Sequence, residues 1–72
     1  MTGATLEQAY AAKAKMRELL ADLPELSALG IAVLADGFGV KVNLSRLPAR
    51  AIPDQIDGVP VVIDIVGRIS PL

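Results

Sequence analysis

Leu29-Gly30-Ile31-Ala32-Val33-Leu34-Ala35-Asp36-Gly37-Phe38-Gly39-Val40-Lys41-Val42-Asn43-Leu44 decides the fold. Asp36-Gly37 is a strong two-residue turn signal, because both central positions of the favoured hairpin turn need positive φ. A turn there sets Ala35 opposite Phe38, Val33 opposite Val40, Ile31 opposite Val42 and Leu29 opposite Leu44. All eight then lie on one face, as a half-buried sheet requires. The other face receives Ala32, Leu34, Gly39, Lys41 and Asn43. Turn chemistry and apolar alternation therefore predict the same antiparallel hairpin.

Upstream, Thr5-Leu6-Glu7-Gln8 fits a capping box, in which the Thr5 hydroxyl and the Gln8 side chain satisfy each other's backbone amides. Apolar residues recur at Leu6, Ala9, Ala12, Met16, Leu19, Leu20 and Leu23, the three–four spacing of a helix face. Pro24 disfavours helical geometry at Leu23, so the spacing predicts one helix over about residues 6–22. Downstream, residues 45–58 read as irregular, with Pro53 opening a single helical turn through Ile56. Val59 to Ile69 reads as a third strand rich in β-branched residues. Pro60 cannot donate to a ladder, so that strand is expected at an edge or to begin after Pro60. Val61, Ile63, Ile65 and Ile69 share one of its faces, and Val62, Asp64, Val66 and Arg68 the other. Either hairpin strand is open to it as a neighbour. The expectation is a two-layer α+β domain of order helix, strand, strand, loop, strand, with the helix on one face of a three-stranded sheet.

The chain of 72 residues is short enough to be one domain. At this size folding stability is roughly 4–11 kcal/mol, drawn from a core that is almost wholly aliphatic, because Tyr10 and Phe38 are the only aromatic residues. Seven basic residues against eight acidic ones leave no basic excess for nucleic acid or an anionic membrane. The start of the chain leads directly into a charged helix without the apolar stretch of a secretory signal. Val59–Ile69 is too short to span a bilayer, so a cytoplasmic protein is the expectation.

Histidine and cysteine are both absent, which excludes Ser-His-Asp and Cys-His catalysis and the common transition-metal ligand sets. Asp36-Gly37-Phe38-Gly39 lacks the spacing of a phosphate-cradling loop. Asp54 and Asp57 are a carboxylate pair in a loop, a place where active residues often sit. Asp54 is better read as a first-turn helix residue, and Asp57-Gly58 as a turn into a strand. Asp64 interrupts an apolar strand and, on the same face as Lys41, is expected to form a cross-strand pair. Lys15 is placed to pair with Glu18 along the helix. Arg46, Arg50, Arg68 and Lys41 form a candidate anion-binding group at one end of the sheet. Nothing in the chain points to a cofactor, a metal site or a small-molecule ligand.

Ile52-Pro53-Asp54-Gln55-Ile56-Asp57-Gly58-Val59-Pro60-Val61, followed by Val66-Gly67, resembles a small segment that precedes the protease domain in some trypsin-like serine peptidases of bacteria and plants. Gly30-Ile31-Ala32-Val33, Val40-Lys41-Val42 and Leu47-Pro48 fit the earlier strands and Leu-Pro loop of that segment. The likeness covers residues 29–67, with the N-terminal helix additional to it. No catalytic residue carries over, and the resemblance implies an accessory or docking module.

The expected role is a small non-catalytic protein-interaction module whose partner is itself or a larger protein. Its candidate interface is the sheet face opposite the helix: Ala32, Leu34, Lys41, Asn43, Val62, Asp64, Val66 and Arg68. An apolar patch left open on that face is expected to close as a two-fold dimer. Two alternatives follow from the charges. One is an enzyme subunit with a site formed between chains from Asp54, Asp57 or Asp64. The other is a weak anion or nucleic-acid binder using Arg46, Arg50 and Arg68.

Overall fold

A computed structural model describes residues 3–48 and 50–65. The capping box forms: the Gln8 amide donates to Thr5 Oγ1 at 3.1 Å, and the Thr5 amide donates to Gln8 Oε1 at 2.8 Å. It opens helix α1, Leu6–Leu19. The helix ends earlier than the expected residue 22, because the chain tightens ahead of Pro24. Ala21 and Leu23 donate to carbonyls three residues back, Glu18 and Leu20, the narrower turn common at helix ends. These turns still carry Leu20 and Leu23 into the core. The buried stripe is narrower than the apolar pattern implied. Ala9, Ala12 and Met16 are enclosed, whereas Leu6 and Leu19 at its margins are exposed.

Four strands follow: β1 Leu26–Leu34, β2 Gly37–Leu44, β3 Gln55–Ile56 and β4 Val59–Ile65. They form one sheet of order β1-β2-β4-β3. The fold is α+β, as expected, with one strand more than the three anticipated. β1 and β2 are the expected antiparallel hairpin, but its register lies two residues from the anticipated one. Val33 faces Phe38, Ile31 faces Val40 and Leu29 faces Val42. The reversal falls on Ala35-Asp36, and Gly37 is already in β2. A shift of two preserves the side-chain faces, so the apolar pattern alone does not distinguish the two registers.

The N-terminal segment accounts for the difference. Gly3 donates to the Asp36 carbonyl and Phe38 donates to the Ala4 carbonyl, each at 2.9 Å. Ala4 thereby takes the place beside Phe38 that β4 takes from Val40 onward. Gly37 lies under this segment, where an added Cβ would stand 2.8 Å from the Ala4 oxygen. Its small size answers to close approach, and neither Asp36 nor Gly37 has positive φ. The turn with positive φ at both central residues is the other Asp-Gly pair, Asp57 at 51° and Gly58 at 78°. It joins β3 to β4, so residues 52–56 end in a strand and not in the expected helical turn. Ile56 thereby packs against the core, and the Asp54 carbonyl accepts from the Val61 amide at 2.9 Å.

β4 runs parallel to β2, pairing Val40 with Val61, Val42 with Ile63 and Leu44 with Ile65. Parallel neighbours need a long connection, which the stretch 45–58 provides. Pro60 lies just before this ladder and pairs instead with Gln55, so its missing N–H leaves the β2–β4 bonds intact. Past β3, the outer edge of β4 has no strand beside it among the described residues. The expected continuation from Val66 to Ile69 lies outside the described residues.

β2 is the centre of the core. Val40, Val42 and Leu44 are fully enclosed against Ala9, Ala12, Met16, Leu20, Leu23 and Val59. Helix and crossover lie on the same side of the sheet. The Arg50 guanidinium donates to the Leu19 carbonyl at 2.8 Å, and Lys15 is ion-paired with Asp57. Ile63 and Ile65 share this side but remain 42% exposed, because α1 lies chiefly across β1 and β2.

One comparison separates a glycine required by close approach from one that is merely tolerated. Gly37→Ala should lower stability by about 1–3 kcal/mol through overpacking against residues 3–4. Gly30→Ala, where a Cβ would meet no atom within 4 Å, should stay within about 0.5 kcal/mol of the parent. Urea midpoints check this, and equal midpoints for the two variants would refute the seating of the N-terminal segment.

Candidate functional site

The strand registers place Ala32, Leu34, Lys41, Asn43, Val62 and Asp64 on one face of the sheet, opposite α1. The other two expected members, Val66 and Arg68, lie outside the described residues. Much of the floor is small: Ala28, Gly30, Ala32, Gly37 and Gly39 all share this face. Leu34 is half-buried, and its Cδ1 would stand 3.3 Å from a Cβ at Gly39. Ala32 is only 8% exposed and Val62 36%. The face is therefore shallow, with less exposed apolar surface than its residue list suggests.

Polar groups sit at its centre. Lys41 Nζ lies 3.7 Å from Asp64 Oδ2, with both side chains nearly half exposed. This is the expected cross-strand pair, of the kind that contributes roughly 0.2–1 kcal/mol. Asn43, beside Asp64 in the ladder, has its Oδ1 enclosed without a hydrogen-bond partner among the described residues. Such an oxygen is costly to leave unpaired and rare in native proteins. The polar groups of this face are thus a charge pair and a carboxamide, set side by side on the β2–β4 ladder.

The candidate arginines do not gather. Arg46 contacts the Glu25 carboxylate at 3.4 Å, and Arg50 grips Asp22 at 2.8 and 3.4 Å while donating to the Leu19 carbonyl. Arg50 thus closes the C-terminal end of α1, where cations are favoured. Lys41 is held by Asp64, and Arg68 lies outside the described residues. Lys15 reaches Asp57 and not the expected Glu18, because Asp57 sits at the tip of the β3–β4 turn beside the helix. Lys13 lies 5.9 Å over the Tyr10 ring. With Asp54 before β3 and Asp57 tied to Lys15, the two loop acids form no joint site. Asp57 borders an open cleft of about 370 Å³ with Gly3, Ala4, Thr5, Gln8, Gly58 and Val59, and it is the one acid there among the described residues. Among the described residues no group of three or more Asp or Glu is placed to hold a metal ion.

Glu25 is a feature that sequence reasoning missed. It is 4% exposed, its Oε2 is enclosed without a partner among the described residues, and its carbonyl accepts from the Ser45 amide at 2.8 Å. Its position between Leu23 and Leu26, directly after Pro24, was the available signal: an acid in an apolar run entering a strand. The contact from Arg50 to Asp22 has no local signature, since it joins residues far apart in sequence.

Comparison with known proteins adds no relative: no protein-family model, curated protein or solved structure matches the chain.

The Arg50 hydrogen bonds, and then its charge, hold the Asp22 carboxyl below the usual aspartate range. A lowered folded-state pKa adds stability above the unfolded value of about 3.9, lost as pH falls through the folded one. Asp22→Asn should therefore melt lower than the parent at neutral pH, with the gap closing as the medium is acidified below that value. Melting temperatures across pH test this. A gap constant into strong acid would show that the pair is not the cause.

Proposed function

We propose that the chain is a small non-catalytic module for protein–protein association, and that its docking surface is the open face of the sheet. One observation supports this reading above the others: helix and crossover both lie on one side, so no helix or strand among the described residues lies over the other, where Lys41, Val62 and Asp64 remain partly exposed. A sheet face gains stability by packing against a second layer, and here that layer comes from a partner protein. The Gly and Ala floor allows close approach. The Lys41–Asp64 pair then fixes orientation, as charges at interfaces do, and Val62 supplies apolar contact.

A photo-reactive amino acid in place of Val62, with a second at Glu18 on the outer surface of α1, tests the reading in extracts of the source cells. Position 62 should yield a discrete protein adduct, and Lys41→Glu should weaken its formation roughly tenfold, equivalent to about 1.4 kcal/mol. Position 18 should yield none. Equal labelling from both positions, or none from position 62, would refute the open face as a docking surface.

A further inference from the structure

Beyond this open-face reading, which takes a separate protein as partner, we propose that a second copy of the chain pairs antiparallel along the free edge of β1. The two sheets then continue as one across a two-fold axis. Among the described residues β1 is the terminal strand of the sheet, and its sequence Leu26-Ser27-Ala28-Leu29-Gly30-Ile31-Ala32-Val33-Leu34 contains neither charge nor proline. Unpaired N–H and C=O groups along such an edge are a template for another strand, which proteins usually block with lysine, proline or a bulge. Here the register shift between Leu26 and Ala28 is the only such device, and Ala28–Leu34 beyond it is regular. A strand carrying no charge meets its own copy without repulsion.

The helix beside this edge exposes apolar and aromatic surface, with Lys13 lying over the Tyr10 ring. Gln8 and Lys15 face the β4 side, where Gln8 borders the cleft with Asp57 and Val59, and Lys15 pairs with Asp57. At 3.6 residues per turn, Leu6, Tyr10 and Lys13 fall on the opposite flank, above the β1 edge. Leu6 is 42% exposed, Tyr10 55%, and Val33 on the helix side of β1 80%. A two-fold axis normal to the sheet keeps both helices on the same side and makes them antiparallel. With strands about 4.8 Å apart, a helix over the β1–β2 seam lies about 10 Å from its mate, an ordinary helix-packing distance. Tyr10, Leu6 and Val33 of both copies are then covered together, with opposed helix dipoles.

Sedimentation of the full chain tests the pairing. The parent should show the mass of two chains at micromolar concentration and dissociate on dilution. Val33→Lys and Tyr10→Glu, both at exposed positions, should each raise the dissociation constant at least about tenfold, equivalent to about 1.4 kcal/mol, with an unchanged circular dichroism spectrum. Val62→Asp on the open face should leave the dimer intact. If Val33→Lys disturbs the fold, Tyr10→Glu decides alone. A single-chain mass up to millimolar concentration overturns the proposal. So does a dimer that survives both edge variants but is lost with Val62→Asp, an outcome that assigns self-association to the open face. The photo-adduct at position 62 reads the open face separately, because edge variants that abolish the dimer do not touch it.

Discussion

The structure depends on the contact of Val40, Val42 and Leu44 with Ala9, Ala12 and Met16, all buried to 2% exposure or less. β2 is the strand that is paired along both edges, with β1 on one side and Ala4 then β4 on the other. It is also the strand whose helix-facing side is sealed. Each fully buried valine, leucine or methionine contributes about 1.5–3 kcal/mol. A domain of this size has a margin of only a few such residues. Two alanines on the helix let it settle low over β2, and Met16 fills the space that remains. The crossover closes the same layer with Ile52 and Ile56.

Placing every cover on one side has a consequence for the rest of the molecule. Among the described residues no helix or strand lies over one sheet face or beside one long strand edge, and the chain holds little net charge to keep other molecules away. The two openings differ in character. The face is shallow, floored by Gly and Ala, and marked by Lys41, Asp64 and Asn43, whose Oδ1 has no partner among the described residues. The edge is uncharged and flanked by exposed Leu6, Tyr10 and Val33. A polar-centred surface suits selective docking, whereas a neutral edge suits pairing with an identical strand. Joining two copies by their edges would also double the open face.

What could be read from the residues was local. The capping box, the helix stripe through Ala9, Ala12 and Met16, and the alternation of β2 each follow from spacing alone. The Lys41–Asp64 pair followed from face parity once both strands were placed. The hairpin register did not, because two Asp-Gly pairs carry the same turn signal. The one with positive φ is Asp57-Gly58, while Gly37 answers to the backbone of Gly3 and Ala4. The parallel pairing of β4 with β2 and the two-residue strand β3 arise from long-range closure, for which short motifs hold no information. The arginines looked like one group in sequence, yet they are separated by acids, Glu25 and Asp22, that lie far from them along the chain.

The central claim is that β2 is sealed by intramolecular packing whereas the outer side of β1 is completed only by another chain. Residue-resolved amide hydrogen exchange at rising protein concentration tests it most directly. The β2 amides should be protected at every concentration. The outward-pointing amides of β1, alternate along Ala28–Leu34, should exchange freely when dilute and gain protection as the two-chain species forms. Outward β1 amides that exchange equally fast at all concentrations, or that are already as protected as β2 in the dilute protein, would contradict the account.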